Sequence, residues 1–186
     1  MLLPIATICL LVVAYAGMVP GIHLMGLSGK PLACRHLPGR AVLLDPATRA
    51  LPYLGAHGSP YNSVPPTSGP YSPWLIATGP YRHPIPPEIQ VSLLRHGDIL
   101  VQYPPSSSAS VRAMLENAAR WRPDRVVVAP NSGLHTGVAL TAWQRIETLP
   151  APDLAAIRRF ISALAGRYSN SWPRGSSSCA PTTGPQ

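Results

Sequence analysis

Proline takes 24 of the 186 positions in this chain, far above its usual share. Each proline fixes φ and removes a backbone donor, which closes helix interiors and inner strands to it. That points to long irregular segments, not a helical bundle. Residues 51–90 hold the stretch YNSVPPTSGPYSPW, Tyr61 to Trp74, with four prolines, a Ser-Gly pair and no charge. A flexible linker would be Gly/Ser/Pro without aromatics. Here Tyr61, Tyr71, Trp74 and Tyr81 are interleaved with the prolines. Large rings favour burial, and prolines lower the entropy lost on ordering a loop. Residues 51–90 are therefore expected to form an ordered loop wrapped on a core, with its rings covered and packed on the strand that follows.

Regular signals begin after this region. DILVQY, Asp98–Tyr103, reads as a strand. Ser110 can cap a helix running to about Trp121, with Val111, Met114, Leu115 and Ala118 on one stripe. RVVVA, Arg125–Ala129, is a short buried strand, and PNSG turns the chain. GVALTAW, Gly137–Trp143, is a third strand that Arg145–Thr148 extends. Asp153 opens a last helix whose inner face is Leu154, Ile157, Phe160, Ile161 and Leu164, and Gly166 stops it. The order predicts an α+β fold: a small mixed sheet with two helices and a long ordered Pro-rich loop region. The first strand–helix–strand unit is a parallel crossover, and the short connection at 130–136 makes the next pair antiparallel. The expected organisation is an anchor or signal segment at 1–19, a juxtamembrane linker at 20–50, one globular domain at 51–168 and a disordered tail at 169–186.

Residues 2–19, LLPIATICLLVVAYAGMV, carry no charge. That is long enough to cross a hydrocarbon core of ~30 Å as a helix. Ala14-Tyr15-Ala16 also fits a signal-peptide cleavage pattern, so secretion after cleavage near Ala16 is the alternative. Lys30, Arg35 and Arg40 follow the run, and the positive-inside rule would hold that side in the cytoplasm. Cys9 falls in the apolar run, while Cys34 and Cys179 are left either as a disulfide of an oxidising compartment or as free thiols. His23, Met25, Cys34 and His36 include soft-metal ligand types, but their spacing matches no defined site and they read as linker residues.

Net charge is +8, with 15 Lys+Arg against 7 Asp+Glu. The arginines are scattered and no nucleic-acid-binding signature appears, so the excess reads as a solvated surface with no nucleic-acid partner. There is no P-loop, no dinucleotide fingerprint and no nucleophile elbow. A Ser68–His96–Asp98 triad rests on no required spacing, and seven carboxylates are a thin supply for acid–base work. The chain reads as leaning away from an enzyme.

Four blocks, PYNSVPPTSGPYSPW, TGPYRHPIPPE, VSLLRHGDILVQY and VALTAW, resemble in this order the bacterial family known as domain of unknown function 3105, over about residues 53–167. Members read much like Tyr-Asn-Ser-x-Pro-Pro-Thr-Ser-Gly-Pro-His, then Val-His-x-Leu-Glu-His-Gly-Gly before a strand. The resemblance implies an N-terminal membrane segment with the domain outside the cytoplasm. Its histidine pattern implies imidazoles and a carboxylate of the kind that bind Zn or Cu. The His-x-x-Glu-His cluster is similar to the inverted zinc-peptidase motif, but here it leads directly into a strand.

This chain departs at those positions. Tyr71 stands for the His after Ser-Gly-Pro, Ser92 and Arg95 for the first His and the Glu of the cluster, and Asp98 for the second Gly. His96 remains, and His57 matches an upstream His; His83 and His135 have no counterpart. A cation where a ligand carboxylate would sit repels a metal ion. The implied site lining is His57, Tyr71, Ser92, Arg95 and His96, under the loop Pro65, Pro66, Thr67, Ser68, Gly69 and Pro70. Arg95 is expected to pair with Asp98 or Glu88, and the Tyr71 hydroxyl to reach His96 or Arg95. The expected function is an extracytoplasmic, membrane-anchored binding or interaction domain with a degraded metal site, a protein or ligand partner and no cofactor. The alternatives are a Zn or Cu protein using His57 and His96, with or without His83, and lastly a hydrolase.

Overall fold

The computed structural model describes residues 37–42, 61 and 63–166, all within one compact unit, Ala33–Gln186. The apolar run at 2–19, the three cysteines, His57 and the tail expected at 169–186 lie outside the described residues. Among the described residues, no helix is long and apolar enough to cross a membrane.

The elements in chain order are β1 (Arg40–Ala41), β2 (Gly79–Pro80), α1 (Pro87–Arg95), β3 (Ile99–Tyr103), α2 (Ala109–Ala119), β4 (Val126–Pro130), β5 (Val138–Ala142), β6 (Arg145–Leu149) and α3 (Leu154–Leu164). One six-stranded sheet runs β1-β6-β5-β3-β4-β2. The β2, β4 and β3 side is parallel; β5, β6 and β1 are antiparallel to their neighbours. The fold is α+β with a mixed sheet, as the sequence predicts, with a third helix added.

The central strands β3, β4 and β5 are buried at every position. Their Val-rich, uninterrupted apolar character is what a strand covered on both faces requires. Val101 pairs with Leu140 and Leu140 with Glu147, so these residues and Tyr103 share one face. Tyr103 meets Arg112 and Glu116 of α2 in a common pocket, and Glu147 pairs with Arg159 of α3 at 2.9 Å. Helices α2 and α3 therefore cover that face. Ile157, Phe160, Ile161 and Leu164 fill it from α3, each contributing roughly 1.5–3 kcal/mol by burial. The opposite face presents Leu100, Gln102, Ala139 and Thr141. The Gln102 amide and the Thr141 hydroxyl are buried there without hydrogen-bond partners.

Several sequence expectations change. Helix α1 lies where a proline loop and the run into the strand were expected. Pro87 sits in the first turn, where a missing N–H costs nothing, and Glu88 favours the helix N-terminus. Gly97, at φ 89, ends it. Asp98 N donates to Leu93 O and Gly97 N to Leu94 O, the paired bonds of a Schellman C-terminus. The cap of α2 is Ser108, not Ser110, accepting from Val111 N. Arg145–Leu149 does not extend β5: it is a separate strand, joined to β5 by the two-residue turn Trp143–Gln144. β5 pairs with β3, not β4, because the segment after Pro130 is long enough to step across one strand.

Candidate functional site

The site grows from the loop that follows Tyr61. Ser63 Oγ donates to Pro65 O at 2.7 Å, and Pro65, Pro66, Thr67, Ser68 and Gly69 are buried. The loop docks on two elements. Gln144 N in the β5–β6 turn donates to Thr67 O at 3.0 Å. Ser72 N donates to Glu88 O at 3.1 Å, and Ser92 Oγ on α1 donates to Ser72 O. These hydrogen bonds tie the loop to α1 and to the hairpin turn.

Between these two anchors, Arg95 in the last turn of α1 lies over the Tyr71 ring, 3.7 Å from its centroid, and 5.9 Å from Trp143. Trp143 is buried and Tyr71 half-buried. A guanidinium in this setting contributes about 0.5–2 kcal/mol by cation–π attraction, with stem packing added. Tyr71 and Arg95 are thus brought together as expected, but through the ring face instead of the hydroxyl. Ser92, with 2% of its surface exposed, ties down the residue next to Tyr71. His96 is the exposed C-cap of α1, so it is not the buried, satisfied histidine under the loop that a structural role would need. His83 and His135 are also exposed.

Arg95 pairs with neither Asp98 nor Glu88. The Gly97 turn reverses the chain, so Asp98 faces the residue before β4: Arg125 Nη1 lies 3.3 Å from Asp98 Oδ1 and donates to His96 O at 3.1 Å. Burial pushes the Asp98 carboxyl above its usual 3.8, with Arg125 and then His96 pulling it partly back. A carboxyl raised on folding contributes stability fully below its unfolded value and loses it as pH rises through the folded value. The unfolding free energy of the parent minus that of Asp98→Asn should therefore fall as pH is raised from about 3.8 upward. A flat or rising difference in chemical denaturation at stepped pH would contradict the burial.

Trp74 is 75% and Leu75 50% exposed. The expectation that Tyr61, Tyr71 and Trp74 are all covered fails for Trp74: Ser72 Oγ, accepting from Trp74 N at 3.1 Å, turns the chain outward there. Pro65 and Pro66 also wall a cavity of about 450 Å³ with Tyr61, Ile85, Gln90 and Asn131. Among the described residues, no three His, Cys, Asp or Glu side chains are grouped as a metal site would need. The participants that sequence reasoning left out of the site are Trp143 and Gln144. Their signal was the Thr-Ala-Trp block, noted but not joined to the loop.

Three blocks far apart in sequence, Pro-Pro-Thr-Ser-Gly-Pro-Tyr, Ser-Leu-Leu-Arg-His-Gly and Thr-Ala-Trp-Gln, thus meet in one clasp on an α+β domain. The profile of the family described as Protein of unknown function (DUF3105) matches residues 57–180, well over half of the chain, and the chain belongs to that family. No curated protein and no solved structure matches it.

Proposed function

We propose that this chain is a membrane-anchored, extracytoplasmic binding or interaction domain in which the positions of a family metal site have become a packing clasp. The observation that carries this reading is the Arg95 guanidinium stacked 3.7 Å from the centre of the Tyr71 ring, beside Ser92, whose hydroxyl is committed to Ser72 O and Glu88 O. The residues at positions 71, 92 and 95 are neutral or cationic, and their contacts serve the loop. A guanidinium there opposes a divalent cation. The exposed pair Trp74–Leu75, on a loop held at Ser72, supports an interaction role: an aromatic on a fixed loop is a common anchor for a partner. The purified full chain, loaded with Zn or Cu and dialysed, should retain far less than one metal per chain. One metal per chain, lost in His96→Ala, would overturn the reading in favour of a metal-binding protein.

The cellular address rests on the uncharged run at 2–19 and on membership of a family whose members carry such a segment. In this reading the run crosses the membrane once and the domain faces outward. A C-terminal reporter should be active in its exported form; activity restricted to the cytoplasmic form would refute the placement.

A further inference from the structure

The parallel strands β3 and β4 end beside a pocket of about 230 Å³. Its functional groups come from three elements: Arg82 after β2, Tyr103 closing β3, and Arg112 and Glu116 one helical turn apart on α2. Pro84, Pro105 and Pro130 form its walls, rigid and without N–H groups to occupy the polar side chains. The clasp lies at the other end of β3, roughly 16 Å away for a five-residue strand, so this is a separate site.

Tyr103 is 2% exposed, yet its hydroxyl makes no hydrogen bond to any described residue and is not among the sealed side-chain atoms of the core. The hydroxyl of this pocket-lining residue is therefore open to solvent and able to donate to a ligand. Arg82 and Glu116 enter none of the ion pairs among the described residues. Arg112 uses only one N–H, donating to Ser107 O at 3.0 Å. Two guanidiniums, a phenol and a carboxylate thus share one small cavity without an ion pair between them. Burial first, then Glu116, pushes the Tyr103 phenol up, while Arg112 and Arg82 pull it back, so it stays protonated and able to donate.

We infer that this pocket binds a small oxyanion, carboxylate or phosphate, held by Arg82, Arg112 and the Tyr103 hydroxyl, with Glu116 meeting an amine when the ligand carries one. Fork-shaped guanidiniums and a phenol donor suit oxyanion geometry. Glu116 makes a zwitterion a better fit than a bare dianion.

The full chain should be titrated with acetate, inorganic phosphate and glycine, following amide shifts around Tyr103 and Arg112. At least one probe is expected to bind saturably. Tyr103→Phe, which keeps the ring, and Arg112→Gln, on a half-exposed helix position, should each weaken it about tenfold or more, the usual cost of losing a charge-assisted hydrogen bond. Glu116→Gln should weaken glycine but strengthen phosphate, an opposed pair of effects that a merely structural role would not give. Carboxylate specificity would appear as acetate and glycine binding without phosphate; phosphate binding alone would assign the site to phosphate ligands. No saturable shift with any probe, or binding unchanged in all three variants, would overturn the inference.

Discussion

Arg145→Met is expected to lower stability by about 3 kcal/mol, the sum of several charge-assisted hydrogen bonds less what water recovers. Arg145 is only 4% exposed. It begins β6, opposite Ala41 of β1, and enters no ion pair among the described residues. Its guanidinium donates instead to three successive carbonyls: Nε to Pro38 O at 3.0 Å, and Nη2 to Leu37 O and Gly39 O. Gly39 permits this approach. It sits at φ 72, and a Cβ there would lie 2.8 Å from Ile146 O. Methionine keeps the stem and removes every donor, leaving three carbonyls without this partner and weakening the docking of a two-residue edge strand that is otherwise held by its backbone pairing with β6. Lysine, with one head in place of a fork, should recover only part of the loss. Denaturant midpoints at constant slope measure the effect, and amide exchange at Ala41 and Val42 reports whether β1 detaches. A loss below about 1 kcal/mol, within the range of an ordinary surface change, would contradict the role given to Arg145.

The second large effect is a gain. Tyr71→His, Ser92→His and Arg95→Glu together should create a metal site that the parent lacks. Positions 92 and 95 are one turn apart on α1, and His96 follows at its cap, so all three project from neighbouring parts of one helical end. The stack on Arg95 puts position 71 directly across from position 95. Three imidazoles and a carboxylate match zinc's usual ligand set and number. Ser92 is buried and holds Ser72 O and Glu88 O, so histidine there risks overpacking of about 1–3 kcal/mol. The double variant Tyr71→His/Arg95→Glu avoids that change. With the native His96 it still offers three ligands.

Much of the sheet was legible because burial on both faces leaves a plain mark. The apolar runs of β3, β4 and β5, the Asp153 cap and the Gly166 stop stand in the residues themselves, and Asp153 Oδ1 does accept from Ala155 N and Ala156 N. Helix α1 was hidden because Pro86 and Pro87 read as loop residues, although proline in a first turn, Glu88 beside it and Gly97 after it are start and stop signals. β6 was hidden because its hairpin turn lacks the usual Asn-Gly chemistry. Gln144, at φ 55, takes the left-handed conformation instead, held by hydrogen bonds from Val42 N to its carbonyl and from its N–H to Thr67 O. The adjacency of Tyr71 and Arg95 followed from the family pattern, since separated ligand positions make sense only if they meet. The partner of Asp98 did not follow, because the reversal at Gly97 carries it across to Arg125. Trp74 looked buried by composition alone; its exposure depends on where Ser72 turns the loop.

The most direct test of the clasp is a calorimetric zinc titration of the parent, the double variant and the triple variant under one buffer. The parent should give no saturable heat. The variants should bind one zinc per chain with a dissociation constant of about 1 µM or tighter, roughly −8 kcal/mol, and lose it when His96 is also replaced by Ala. Stoichiometric zinc in the parent, or no zinc in folded double and triple variants, would contradict the claim that Tyr71, Ser92 and Arg95 occupy the converted ligand positions of a single site.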